Sequence, residues 1–233
     1  VLLTLVILFI SSLTRSTLGF GDALIAMPLL AFTIEIKTAT PLVALVSLVI
    51  GISILLKSWR DVDLESVRRL ILASLLGIPF GLFLLTNAPE TTVKGILGIL
   101  LILFGLYNLL SPELPRVESK ELAYVAGYIA GVLGGAYNTN GPPVIIYGTL
   151  CRWSPARFRA SLQGFFLSSI FAVLGHGLAG LWTPRVLQLF ASSLPVVVVA
   201  ILMGERLNRL IPAGRFDRYI HMALIVMGVL LLA

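Results

Sequence analysis

Arg15 and Asp22 are opposite charges seven residues apart in an apolar stretch, with Gly19-Phe20-Gly21 between them. A charge at bilayer depth costs about 2.5 to 3.5 kcal/mol on insertion scales, so each requires a partner or water. On opposite arms of one turn they can pair with each other. Two roles are open to the pair. It can be a structural bridge that only holds the turn closed, or a working site in which Arg15 holds an anion and Asp22 takes up a proton. If Asp22 caps a helix beginning at Ala23, its carboxylate neutralises the dipole end that would otherwise attract an anion. A second polar cluster, Asn138, Thr139 and Asn140, stands before Gly141-Pro142-Pro143 and offers neutral donors. Gln163 adds a polar side chain farther on and can serve either a site or packing. Serines such as Ser161, Ser168 and Ser169 are expected to bond their own backbone or to pack closely.

The elements that position these residues are broken helices. No helix runs intact through Gly141-Pro142-Pro143, because proline lacks the amide donor and clashes with the carbonyl four residues back. Apolar segments at 122–133 and 144–150 flank the stretch 134–143, which puts the break at membrane depth. Irregular backbone there is tolerated only in contact with protein or lining a cavity. Pro142 suits the first turn of the following half-helix, whose remaining amides would face the break and attract an anion. The plainer reading is a kink packed against a neighbour with no ligand. A second copy weighs against it: Gly19 and Pro28 repeat the spacing of Gly134 and Pro143. Gly81, Pro89 and Gly105 recur as Gly204, Pro212 and Gly228 at one constant offset. A broken helix in matching positions of two halves is a pointer to a transporter's binding site.

With 58% hydrophobic and 12% charged residues in 233, and a mean hydropathy of +1.02, the chain has too little polar surface for a soluble globule. It reads as a polytopic membrane protein. The net charge of +6 sits in short loops between apolar runs, which fits an anionic leaflet and excludes a nucleic-acid surface. The single cysteine, Cys151, excludes an intrachain disulfide and a thiolate metal cluster. His176 and His221 are too far apart to suggest a site by spacing and are read as packed or interfacial. No cofactor or metal is expected. Residues 1–13 lack a basic leader and an Ala-x-Ala site, so they are read as part of the fold.

Full spans are expected at 38–56, 69–86 and 93–110, and again at 160–181, 186–204 and 217–233. The counts of Lys and Arg decide whether the broken segments, about 1–33 and 122–150, cross the membrane or turn back. If both are re-entrant, thirteen basic residues, among them Lys57, Arg69, Lys120, Arg157 and Arg206, share one side, and Lys37, Lys94 and Arg185 share the other. If both cross, the bias nearly vanishes, so the positive-inside rule selects the re-entrant arrangement. The expected fold is an all-α integral membrane protein of two inverted repeats, 1–115 and 116–233, each a re-entrant broken-helix hairpin plus three transmembrane helices. The basic loops would then be cytoplasmic and both termini outside, with the two hairpin tips meeting near the midplane.

With Gly19-Phe20-Gly21, Thr38-Ala39-Thr40-Pro41, Asn140-Gly141-Pro142-Pro143 and Arg157-Phe158-Arg159-Ala160-Ser161 placed, the chain resembles the TauE/SafE family of sulfite exporters and related anion permeases along nearly its whole length. The resemblance implies transport, in the cell membrane, of sulfite, thiosulfate, sulfonates such as sulfoacetate, or other small organic anions. Two departures stand out: Asp22 follows Gly-Phe-Gly where relatives usually continue with glycine, and Tyr137, Asn138, Thr139 and Asn140 stand in a signature that is usually glycine-rich. The candidate substrate-binding residues are Arg15, Gly19, Gly21, Asp22, Asn138, Thr139, Asn140, Gly141, Pro142 and Gln163, with a small anion and a proton as partners. An anion channel is an alternative that would lack saturation and counterflow. Gly19-Phe20-Gly21-Asp22 also resembles the Gly-x-Gly-Asp motif of intramembrane aspartyl proteases, whose chemistry needs two carboxylates sharing a proton. Asp61, Asp63 and Asp217 fall in or beside charged loops and Glu35 at a hairpin foot, so no second carboxylate is in reach.

Overall fold

The structure, a computed structural model, describes residues 1–58, 64–110, 119–210 and 217–232, and all regular structure in them is helical. In hydrocarbon each backbone amide must be satisfied within its own segment, and for apolar runs the helix does this. The helices are α1 (Leu2–Leu18), α2 (Asp22–Ala31), α3 (Ile36–Ser58), α4 (Leu64–Asn87), α5 (Glu90–Leu110) and α6 (Lys120–Tyr137). They continue with α7 (Gly141–Leu150), α8 (Pro155–Phe166), α9 (Ser169–Leu178), α10 (Pro184–Leu210) and α11 (Asp217–Leu232). Among the described residues, Ile36–Ile54, Val67–Asn87, Glu90–Leu110, Ala160–Leu178 and Pro184–Asn208 are long and apolar enough to cross a bilayer. The chain is thus an all-α, multi-pass membrane protein. The expected boundary at 115 lies outside the described residues, as do Asp61, Asp63, Arg116 and the side chain of His221.

Two expected boundaries change. α6 continues through Gly134 and Gly135 to Tyr137, so the second break is confined to 138–140 instead of opening at Gly134. The glycines there serve close packing: a Cβ on Gly135 would lie 2.5 Å from the Ile78 carbonyl oxygen of α4. Gly127 and Gly131 meet the Leu70 and Ser74 backbone in the same way, and Gly77 and Gly81 of α4 meet the α6 backbone in return. This is a small-residue seam of the kind that lets membrane helices approach at backbone distance. The second change falls in the expected span at 160–181, which is interrupted at Leu167 and Ser168. There the Ser168 amide donates to the Phe165 carbonyl at 2.8 Å and the Phe171 amide to Ser168 at 3.0 Å, three-residue bonds that tighten the helix. No proline is needed, since a Ser-Ser step with a nearby glycine is a common kink site.

Burial separates an inner layer from an outer one. Ile36–Ile54 of α3 and Ala160–Leu178 of α8–α9 are each 61% buried, whereas α4, α5 and α10 have 33 to 39% of their spans buried. Leu72, Leu76, Phe80 and Phe83 of α4 point outward at helical spacing, as lipid-facing residues do.

The helix ends reveal how the pairs α1–α2 and α6–α7 enter the bundle. Residues Val1, Leu3 and Thr4 share one recess with Thr33 and Ile34 after α2 and with Arg185 and Gln188 at the start of α10. Lys37, just beyond, donates to the Thr86 carbonyl at the end of α4 at 2.8 Å. In contrast, Ser119 and Lys120 before and at the start of α6 share a recess with Cys151 after α7 and with Glu65 and Arg69 at the start of α4. The two pairs thus have their feet at opposite ends of α4. α2 and α7, with ten residues each, rise only about 15 Å, roughly half the hydrocarbon thickness. The long helices then clasp the pairs crosswise, α4 packing along α6 and α10 along α1, while α5 packs along α11.

Candidate functional site

Each tip is made by residues that accept left-handed backbone. α1 stops because Gly19 adopts φ 92°, and Gly21 at φ 99° turns the chain into α2. Positive φ of this kind is open to glycine and strained for other residues, which explains glycines on both sides of Phe20. In the second tip the same job falls to Asn138, with φ 54°, an αL residue that asparagine tolerates. Its amide donates to the Gly134 carbonyl at 2.9 Å and the Thr139 amide to Leu133 at 3.2 Å, closing the end of α6. Asparagine thereby supplies a turn that glycine would otherwise supply, and adds a side chain to it.

That side chain belongs to a buried polar network. The Asn138 Nδ2 donates to Ser47 Oγ at 2.8 Å, and the Ser47 hydroxyl donates to Asp22 Oδ2 at 2.5 Å. Arg15 Nη1 donates to the same carboxylate oxygen at 2.8 Å, and Arg15 Nη2 donates to Gln163 Oε1 at 3.4 Å. The Gln163 amide in turn donates to the Gly19 carbonyl that α1 leaves open. The Arg15 guanidinium carbon lies 4.7 Å from the centroid of the Phe166 ring, a cation–π contact. Arg15 is 3% exposed and Asp22 7%, so the pair is out of contact with bulk solvent. Asp22 does not cap α2: its carboxylate turns to Arg15 and Ser47, and α2 has no side-chain cap. The positive end of α2 is accordingly left to the cavity.

A cavity of about 20 Å³ lies between the tips, lined by Arg15, Gly21, Asp22, Asn138, Thr139, Asn140 and Gly141, with Ser47, Phe166 and Ser169. That is room for a single water. Asn140 Nδ2 donates to Ser169 Oγ at 3.0 Å, while the Thr139 hydroxyl turns back to the Tyr137 carbonyl at 3.1 Å. Arg15 Nε and Asn138 Oδ1 are buried without a partner, a donor and an acceptor left open beside the cavity. Asp22 is the sole carboxylate among the described residues lining the cavity. Seven of the ten residues expected from the sequence line it. Of the other three, Gly19 and Gln163 support Arg15 from behind, and Pro142 faces a separate apolar groove on the outside of α6 and α7. The two prolines of α7 also leave its first turn with little beyond the Gly141 amide to offer an anion.

The sequence reading missed Ser47, Phe166 and Ser169. Ser47 is a lone hydroxyl in an uninterrupted apolar helix, and nothing in its neighbourhood distinguishes it from a serine bonded to its own turn. Ser169, expected to pack or bond backbone, accepts from Asn140 because the kink after Phe166 turns it inward. His176 is fully buried, its Nε2 3.0 Å from the Gly135 carbonyl, as a packed histidine.

A related reciprocity links the halves. Thr40 of α3 donates to the Ala136 carbonyl at the end of α6 at 3.2 Å, as Gln163 of α8 does to Gly19 at the end of α1. Each tip is therefore held by an inner helix from the other half of the chain. No solved structure matches the chain. A curated relative, described as a probable sulfite/organosulfonate exporter TauE of Cupriavidus necator, is 25% identical over 199 residues, covering 82% of this chain and 78% of its own. The profile of the sulfite exporter TauE/SafE family matches residues 3–231. A match over almost the entire length means that the chain belongs to the TauE/SafE sulfite exporter family.

Proposed function

We propose that this membrane anion transporter is a secondary carrier that binds sulfite, a sulfonate or another small organic anion between its two hairpin tips, with Arg15 as the anion's main partner. The observation that carries the reading is a fully enclosed guanidinium beside a cavity that both tips close. Arg15 carries five donors in a planar fork suited to oxyanions. One bonds Asp22 and another Gln163, while Nε bonds nothing. The cavity is too small for any such anion, so the tips must part for loading. Protonation of Asp22 would release the Nη1 donor, and an incoming anion would restore the charge that Asp22 gave up. Proton uptake and anion binding are in this way coupled without leaving a net buried charge. The first-turn residues of α2, Asp22, Ala23 and Leu24, line the same cavity, and no side chain caps their amides.

The test is counterflow in proteoliposomes with sulfite, thiosulfate, sulfoacetate and a short carboxylate such as acetate. At least one sulfur oxyanion should show saturable uptake accelerated by the same anion inside. Uptake that rises linearly with concentration and shows no acceleration would mean a channel. The protease alternative finds no support at Asp22, whose cavity has no second carboxylate among the described residues.

Two inverted repeats are part of the same reading. They are supported by hairpin feet at opposite ends of α4 and by the crosswise clasp of each hairpin. The basic end, with Arg69, Lys120 and Arg157, is assigned to the cytoplasm, and the end with Lys37, Lys94 and Arg185 to the outside. Cys151 is buried, so a reporter thiol is better placed at an exposed residue. In a Cys151→Ser background, Thr91→Cys should react in intact cells with an impermeant maleimide and Ser154→Cys should not. The opposite pattern would invert the assignment.

A further inference from the structure

Tyr147 stands where two differently built recesses meet. The first is a groove of about 320 Å³ between α5, α6 and α7, walled by side chains such as Leu103, Phe104, Ala126, Ile129, Pro143 and Ile146, with no charged residue in its lining. The second, about 300 Å³, is lined by Arg69, Lys120 and Arg157 against one carboxylate, Glu65, which pairs with Arg69. The two run together: Leu122 and Leu150 line the groove, and Lys120 and Cys151, a turn or less away, line the basic recess. Trp153 completes the recess, with the Arg157 guanidinium 5.9 Å from its ring centroid. Tyr and Trp sit at membrane interfaces because one side of the ring is apolar and the other polar. The N-terminal turns of α6 and α8, capped by Ser119 and Ser154, add their positive ends to the three cations.

We propose that this combined surface is a binding site for an anionic phospholipid, with an acyl chain in the α5–α7 groove and the headgroup phosphate on Lys120, Arg157 and Arg69. Hydrocarbon lining that passes directly into a cluster of cations matches the two ends of one lipid molecule. A free phosphate would use the basic recess alone and has no need of the groove. A second copy of the chain would use the groove and has no need of the excess positive charge. Basic recesses between membrane helices on the cytoplasmic side are suited to anionic headgroups. The groove is lined by Pro142 and Pro143, next in the chain to the Asn138–Gly141 stretch that lines the tip cavity, so the lipid would brace the arm that carries Asn138 and Asn140.

The test uses the purified full chain equilibrated with vesicles of equimolar phosphatidylcholine and phosphatidylglycerol, then extracted and weighed intact with its retained lipids. The wild type should keep phosphatidylglycerol in preference to phosphatidylcholine. Lys120→Gln with Arg157→Gln should lower that preference about fivefold per cation removed. Ile129→Trp, which fills the groove, should lose the lipid while its charges stay; if that protein does not fold, Val125→Trp on the same wall replaces it. Glycerol 1-phosphate should not displace the lipid. Equal phosphatidylglycerol retention by wild type and the charge variant would overturn the proposal. So would displacement by glycerol 1-phosphate, which would make this a phosphate recess, or a dimer dissolved by Ile129→Trp with lipid retention unchanged, which would make it an interface.

Discussion

Arg15→Gln should abolish saturable anion uptake. The guanidinium is the sole cation lining the cavity among the described residues, and glutamine replaces its charge with a neutral amide. Charge-assisted hydrogen bonds contribute about 1.5 to 3 kcal/mol each, so losing one weakens binding roughly tenfold to a hundredfold, and losing two removes measurable affinity. The single variant also strands Asp22 in the interior, and removing one partner of a buried pair costs about 3 to 5 kcal/mol in stability. The decisive protein is therefore the double variant Arg15→Gln, Asp22→Asn, in which no charge is left unpaired. A neutral substitute for a buried pair is often harmless to folding, so this protein should be monodisperse with a melting temperature near the wild type. It should nonetheless fail to bind or move the anion. Normal uptake by a well-folded double variant would reduce Arg15 and Asp22 to a bridge that holds the first hairpin closed, and would place the anion elsewhere.

Asp22→Asn alone should separate binding from proton coupling. Asparagine nearly matches the carboxylate in shape and can still accept the Ser47 hydroxyl through its carbonyl oxygen, so the link from Asp22 through Ser47 to Asn138 survives. What changes is the charge. On the proposed coupling, protonation of Asp22 would free Arg15 in the wild type, so uptake should increase as the loading side is made more acidic. The variant has the neutral side chain at every pH, and its uptake should be flat over the range where the wild type responds. Anion binding at acidic pH should be about that of the wild type, since both then present an uncompensated Arg15. An unchanged pH slope in Asp22→Asn would assign the coupled proton, if there is one, to another group.

Much of this protein could be read before folding was considered. The apolar runs declared a helical membrane protein, because hydrocarbon leaves the backbone few other ways to satisfy its amides. Gly19-Phe20-Gly21 and Gly141-Pro142-Pro143 marked both interruptions, since the need for positive φ at the glycines and the missing amide of proline are properties of single residues. Arg15 and Asp22 could be paired on paper because a tight turn returns the chain on itself within seven residues. Local chemistry of this kind is written in order along the chain.

The tertiary structure decided what lay between segments. Ser47 and Asn138 are far apart in the chain, and only the packing of α3 against the second tip joins Asp22 to that tip. The kink at 167–168 that turns Ser169 inward carries no proline, and the double glycine at 134–135, which looked like part of the break, stays helical, with Gly135 against the α4 backbone and Gly134 against the Asn140 side chain. Asp22 was free to cap α2 as far as its position went. It turns away because a charged partner and a hydroxyl within reach of a buried carboxylate outweigh a cap on its own amides. Periodicity and turn residues report what one segment does alone. The site is held by bonds between segments, so its membership depended on which faces the membrane-buried helices press together.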